Sequence, residues 1–261
     1  MAVDADDIAF AGRLADAAAA IVLRYFRTGV AVDDKADASP VTVADRAAEE
    51  AMRNLIAKER PHDGIIGEEY GRERTDAARV WVLDPIDGTK SFISGRPMFG
   101  TLVGLAVDGV PQLGVIDCAA VGERWTGTVG GETLHRLRDG TQKPVRTRAC
   151  TTLDKATLYC SSPLMFKENF PAFERVRTQV KLPMYGGDCY AYGLVASGYA
   201  DLDIEAGLGI YDYVAVVPVL AGAGGLMTDW QGKQLTLASD GRVVAAGDSH
   251  VHAAAIAALA G

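Results

Sequence analysis

The sequence predicts a layered protein of mixed α and β structure, with an antiparallel sheet in its N-terminal half and a mixed sheet in its C-terminal half. Three observations predict this. Two amphipathic helical patterns open the chain. Paired apolar runs then flank Asp108-Gly109 and Gly130-Gly131, which is hairpin spacing. Beyond about residue 150, short strand patterns alternate with helical ones, as in α/β layers.

From Asp4 to about Arg27, Ile8, Ala11, Ala15, Ala18, Val22 and Phe26 recur at helical spacing. In "SPVTVADRAAEEAMRNLIAKERP", Ala47, Ala51 and Leu55 run beside Ala48, Met52 and Ile56, and Pro61 stops the helix. "DGIIGEE" and "RVWVLD" then read as short strands ending in acid. "GTLVGLAVDGVPQLGVID" and "RWTGTVGGETLHRL" supply the two hairpins. The polar stretch "RDGTQKPVRTRACTTLDK" reads as a junction, dividing the chain into residues 1–145 and 146–261. The alternating half comprises "ATLYCS", "FKENFPAFERVRTQV", "KLPMYGG", "YAYGLVASG", "ADLDIEA", "YDYVAVVPVLAGAGG" and "LMTDW". Its Ala221–Gly225 is a helix end entering a strand, not a G-x-G-x-x-G fingerprint.

A formal net charge of −8 argues against a nucleic-acid surface, which needs a basic face to release counterions. The acidic start "MAVDADDIAF" does not read as an export signal. "AAAAIVL" is too short to span a bilayer, and no other uncharged run approaches that length. Cys118, Cys150, Cys160 and Cys189 lie far apart with no C-x-x-C pair, as expected of reduced core thiols in a cytoplasmic protein.

The chemistry gathers where apolar segments deliver acids: Glu68 and Glu69 after "IIG", Asp84 and Asp87 in "VWVLDPID", and Asp212 in "DLDIEAGLGIYD". Singly, each has an ordinary explanation. An aspartate before proline or glycine forms turns, Glu68 or Glu69 alone is a solvated loop acid, and Asp212 alone is a helix cap. Three such segments converging would repel one another unless a cation joins them. Carboxylate oxygens suit Mg²⁺ or Mn²⁺. Zinc does not fit, because His62, His135, His250 and His252 form no H-E-x-x-H or Cys/His cluster. His250 and His252 read as exposed helix residues. After Asp87, "DGTKSFISG" reads as a short helix start whose Gly88 and Thr89 amides face a phosphate. An anion cradle beside bound cations suggests transfer of a phosphoryl group to water.

"GEE", "DPIDGT" and "YD" after "DIEAGLGI" together resemble the inositol monophosphatase superfamily, over nearly the whole chain. The resemblance implies a layered α/β/α/β/α sandwich, a homodimer, and catalysis with two or three Mg²⁺ ions. It implies that Glu68, Asp84 and the Ile86 carbonyl hold one ion, and that Asp84, Asp87 and Asp212 hold another. Thr89, paired with Asp45 of "VTVAD", would orient or deprotonate the attacking water, while Gly88 and Thr89 hold the phosphate. Asp45 also suits a first helical turn on dipole grounds alone.

Within that superfamily, "DPIDGTKSFISGRPMFGTLVGLA" is most similar to the histidinol-phosphate phosphatase branch. Lys90 and Ser91 stand where inositol enzymes more often carry threonine and asparagine. Asp188 stands where they carry a small neutral residue. The expected activity is Mg²⁺-dependent hydrolysis of histidinol phosphate in histidine biosynthesis, with Asp188 and Glu205 receiving the substrate's cationic groups. Asp188 equally suits a helix cap, and Glu205 a solvated acid beside a turn. The alternatives are an inositol-1-phosphate, fructose-bisphosphate or adenosine-bisphosphate phosphatase on the same scaffold, or a silent metal- or phosphate-binding regulator.

Overall fold

The computed structural model describes residues 3–29, 31–34 and 40–261. Helix α1 (Ala5–Tyr25) begins where the Asp4 and Asp7 side chains accept each other's backbone amides. This reciprocal cap satisfies two amides that a helix start leaves orphaned. Strands β1 (Val32–Asp34) and β2 (Pro40–Thr42) pair antiparallel. Helix α2 (Val43–Glu59) repeats the capping device with Thr42 and Asp45, and ends just before Pro61. The stripes Phe10, Leu14, Ala18 and Ala48, Met52, Ile56 are fully buried, so both helices turn one face inward.

Next come β3 (Gly64–Gly67), β4 (Gly71–Glu73), β5 (Arg79–Asp87) and the short helix α3 (Thr89–Ile93). Strands β6 (Gly100–Val107), β7 (Val110–Cys118), β8 (Glu123–Thr128), β9 (Thr133–Arg136) and β10 (Gln142–Val145) follow. Strands β3 to β10 form one sheet of eight, in the order β10-β9-β8-β7-β6-β5-β3-β4. The sheet is antiparallel except where β3 runs parallel to β5, so it is not purely antiparallel as the sequence suggested. At the first hairpin, Asp108 and Gly109 have φ of 50° and 78°, the left-handed pair that a tight two-residue turn requires. The polar stretch around Arg138–Lys155 is not all linker: Gln142–Val145 closes the edge of this sheet against β9.

The second sheet is built from β11 (Thr157–Cys160), β12 (Leu182–Tyr185), β13 (Leu202–Glu205), β14 (Leu226–Asp229) and β15 (Val243–Ala246). Its order is β12-β11-β13-β15-β14; β12, β11 and β13 are parallel, and β15 is antiparallel to both of its neighbours. Five helices accompany it: α4 (Phe170–Arg177), α5 (Cys189–Ala196), α6 (Ile210–Tyr213), α7 (Val216–Gly222) and α8 (Ser249–Ala260).

Side-chain alternation fixes the layers. Trp81, Leu83, Val103 and Leu105 face α1 and α2, while Val80, Val82, Leu102 and Ala106 face α5 to α7. The second sheet covers the other side of α5 and α7, and α4 and α8 cover its outer face. The result is the five-layer α/β/α/β/α sandwich. Close approach of the middle layer depends on Gly114, where a Cβ would stand 1.8 Å from the Ala215 carbonyl oxygen. Only glycine fits there without moving α7.

All four cysteines are buried and unbridged. His250 is exposed as expected, but His252 is not. It is buried on α8 with Nε2 2.8 Å from the Thr228 hydroxyl, because its helix face packs on the sheet. Among the described residues no helix is long and apolar enough to cross a membrane.

Candidate active site

Strand β5 does not end at Asp84. It continues to Asp87 with a register shift: Asp84 lies opposite Leu102 and Asp87 opposite Gly100, so β5 holds one more residue than β6. In a regular strand, residues three apart face opposite sides of the sheet. The extra residue reverses this and returns Asp87 to the side of Asp84. Two side chains lock the bulge. Asp84 Oδ1 accepts from the Ile86 amide at 3.0 Å, and Thr101 Oγ1 donates to the Pro85 carbonyl at 2.8 Å. The aspartates are therefore bulge residues rather than turn formers.

Asp212 arrives from the first turn of α6, where its Oδ2 accepts from the Gly209 amide at 2.6 Å. Carboxylate oxygens of Asp84, Asp87 and Asp212 all lie within 4.8 Å of one another. Glu68 follows β3, its amide bonded to the Leu83 carbonyl at 3.2 Å, one residue before Asp84. Burial pushes the Asp84 carboxyl well above its usual range, and the charges of Glu68, Asp87 and Asp212 push it further. Asp87 is raised by burial and by Asp188 and Asp212, against the Cys189 amide that donates to its Oδ2 at 2.5 Å.

Among the described residues no lysine or arginine pairs with Asp84 or Asp87. Mutually repelling carboxylate oxygens of this kind fit a hard divalent ion such as Mg²⁺. Glu68, Asp84, Asp87, Asp212 and the Ile86 carbonyl are placed where they can hold it.

Gly88 has φ of 84°, and the chain turns there into α3. The first-turn amides of α3 have no intrahelical acceptor and can meet an anion. The expected pairing of Thr89 with Asp45 is not formed. Thr89 Oγ1 donates to the Ile86 carbonyl at 3.2 Å. Asp45 Oδ2 accepts from the amide and hydroxyl of Thr42, at 2.8 and 2.6 Å, and its buried Oδ1 has no partner among the described residues. Capping of α2 thus claims one oxygen and leaves the other for a ligand or water. Burial raises the Asp45 carboxyl, the hydrogen bonds of Thr42 lower it, and the nearby Glu68 adds to the rise.

Glu68, Asp87, Gly88, Thr89, Asp188 and Asp212 share a cleft of about 180 Å³ with Lys90, Ser161, Met165 and Leu208. Asp188 precedes α5 but does not cap it with its side chain. Its backbone sits at φ 45°, ψ −146°, a conformation uncommon for a non-glycine residue and of the kind held at functional sites. Its Oδ2 accepts from Ser91 Oγ at 2.6 Å, and a Cβ on Gly88 would meet that same oxygen at 2.8 Å. Burial raises the Asp188 carboxyl, and Ser91, Arg96 and Lys90 oppose the rise.

Glu205 is not a solvated turn acid. It ends β13 fully buried, with Oε1 accepting from the Ser161 amide, and burial pushes its pKa up to about 8. Ser161, rather than Glu205 itself, forms the cleft wall. Three polar residues escaped sequence reasoning. Ser161 carries no local signal. Asp203, two residues before Glu205 on the same strand face, is buried, and its Oδ1 has no hydrogen-bond partner among the described residues. Glu49, four residues after Asp45, lies on the same buried face of α2, and its helical spacing was the available clue.

The comparisons agree with this architecture. The family model described as "Inositol monophosphatase family" matches residues 4–261. The Arabidopsis thaliana protein named "Bifunctional phosphatase IMPL2, chloroplastic" is 48% identical over 256 residues, spanning 94% of this chain and 72% of that one. The Chlorobaculum parvum histidinol-phosphatase is 36% identical over 241 residues, 92% of each chain. A solved inositol monophosphatase from Zymomonas mobilis superposes with a TM-score of 0.89 at 48% identity, covering 99% of this chain and all of that one. A phosphatase fold, an acid cluster suited to Mg²⁺ and these similarities lead to one conclusion: the chain belongs to the inositol monophosphatase family.

Proposed function

We propose that this phosphatase hydrolyses histidinol phosphate to histidinol and phosphate, with Mg²⁺ held by Glu68, Asp84, Asp87, Asp212 and the Ile86 carbonyl. When bound, the ions neutralise the acid cluster so that phosphate can enter, and they acidify water. The chain's own groups do the rest. Gly88 and Thr89 amides receive the phosphate oxygens, and Asp45 Oδ1 accepts a hydrogen bond from the attacking water, which Thr89 orients.

The observation that carries the substrate choice is the Ser91–Asp188 hydrogen bond. Ser91 and Asp188 are both positions where the chain departs from the inositol pattern, and they touch each other. Asp188 stands beside the phosphate cradle and offers an acceptor to an ammonium arriving on the same substrate. The 36% identity to a histidinol-phosphatase points the same way. Inositol 1-phosphate is the second reading, favoured by the 48% identity to the Zymomonas enzyme. A homodimer is implied by the family likeness alone.

The test is competition. With both esters at equal concentration in Mg²⁺, the ratio of the two alcohols formed reports the ratio of kcat/KM. Predominant histidinol supports the proposal; predominant inositol moves the chain to the second reading.

A further inference from the structure

We infer that Glu49 is the positioning residue of the metal centre: it folds the loop that presents Glu68, without itself reaching the cleft. The inference rests on the Mg²⁺ reading above. Glu49 has no solvent exposure, although it is charged and lies on a helix. A buried carboxylate needs donors, and three converge on this one. Oε2 accepts from the Glu69 amide at 2.7 Å, and Oε1 accepts from the Tyr70 amide at 3.1 Å and from Arg53 Nε at 2.7 Å.

The two amides belong to the residues directly after Glu68. The Glu68 amide itself is bonded to the Leu83 carbonyl. Glu68 is thus held from both sides, by β5 before it and by Glu49 after it. Gly67 completes the arrangement, because a Cβ there would stand 1.9 Å from Glu49 Oε1. Any side chain at position 67 would expel the carboxylate. Arg53, which also donates to the Gly71 carbonyl, ties the far end of the turn to the same group.

Helix geometry explains why one element does two tasks. Asp45 and Glu49 are four residues apart, hence stacked on one face of α2. The first keeps Oδ1 for the proposed water, and the second grips the loop carrying a proposed metal ligand. Gln cannot replace Glu49. Either orientation of its amide sets an NH₂ group against an N–H donor, Glu69 on one side or Tyr70 and Arg53 on the other.

The test is Mg²⁺ titration by calorimetry of wild type, Glu49→Gln and Arg53→Met, with thermal unfolding of each metal-free protein. Orienting partners behind metal ligands are typically worth about 10–100-fold in affinity. Glu49→Gln is expected to weaken Mg²⁺ binding by that order, and Arg53→Met by less in the same direction. Raising Mg²⁺ should recover much of the Glu49→Gln turnover, since the ligands remain. Wild-type Mg²⁺ affinity in Glu49→Gln, with only a lowered Tm, would overturn the inference and leave a purely structural residue. If Glu49→Gln does not fold, unchanged affinity in Arg53→Met overturns it equally. Absence of divalent binding by the wild type would instead remove the metal reading on which it rests.

Discussion

Ser91 Oγ donates to Asp188 Oδ2 at 2.6 Å, joining the first turn of α3 to the start of α5 across 97 residues of chain. The bond links the phosphate cradle to an acid from the other half of the molecule. We expect Asp188→Asn to reduce kcat/KM for histidinol phosphate by about 10–150-fold, corresponding to about 1.5–3 kcal/mol for a hydrogen bond to a charged group. Hydrolysis of p-nitrophenyl phosphate, which has no ammonium, should be nearly unaffected. Ser91→Ala should move both values in the same sense but less. Equal losses on both esters would make Asp188 a structural acid.

Asp84 is buried and feels the charges of all three other acids, Glu68, Asp87 and Asp212. Asp84→Asn should therefore be the most damaging single change, removing the ligand expected to touch both ions. Calorimetry should show loss of Mg²⁺ binding together with turnover. Full activity in this variant would contradict the assignment of the cluster.

Thr89→Ala should keep Mg²⁺ affinity while losing turnover, by something on the order of the 10²–10⁴-fold typical of general-base catalysis. The hydroxyl donates to the Ile86 carbonyl, so it can shift to a water without disturbing the carboxylates. Steady-state kinetics beside metal titration separates the roles. Lost metal binding with normal turnover per loaded site would assign Thr89 to the metal instead.

The metal-free protein should lose stability as pH rises. Glu205, raised by burial to about 8 from an ordinary 4.5, binds a proton in the folded state that the unfolded chain has released. Between those values the native state holds more protons, so unfolding becomes easier with increasing pH. Tm of EDTA-treated protein should fall from pH 5 to pH 8. Glu205→Gln should flatten that slope. An unchanged slope in Glu205→Gln would show that Glu205 is not the group that carries the dependence.

Much of this was legible because periodicity and turn chemistry are local. The helix of Asp4–Arg27, the Asp108-Gly109 hairpin and the acid-bearing segments all follow from neighbours in sequence. What escaped depends on contacts at long range. The Asp84–Asp87 bulge exists because β6 is one residue short opposite it, which no reading of "DPID" alone reveals. β15 was not read at all, and α8 was read only at His250 and His252, although Asp248 caps that helix by accepting from the His250 amide. Strand β10 was hidden inside a polar stretch because an edge strand buries little. The Thr89–Asp45 pair, expected from likeness, gave way to the Thr42 cap, a competition invisible until α2 is built.

The most direct measurement is phosphate release by the purified protein from histidinol phosphate, inositol 1-phosphate and fructose bisphosphate, each with Mg²⁺ and with EDTA. The account predicts the highest kcat/KM for histidinol phosphate, loss of all activity in EDTA, and its return on adding Mg²⁺. Release from histidinol phosphate that persists in EDTA, or that is slower than from inositol 1-phosphate in Mg²⁺, would contradict it.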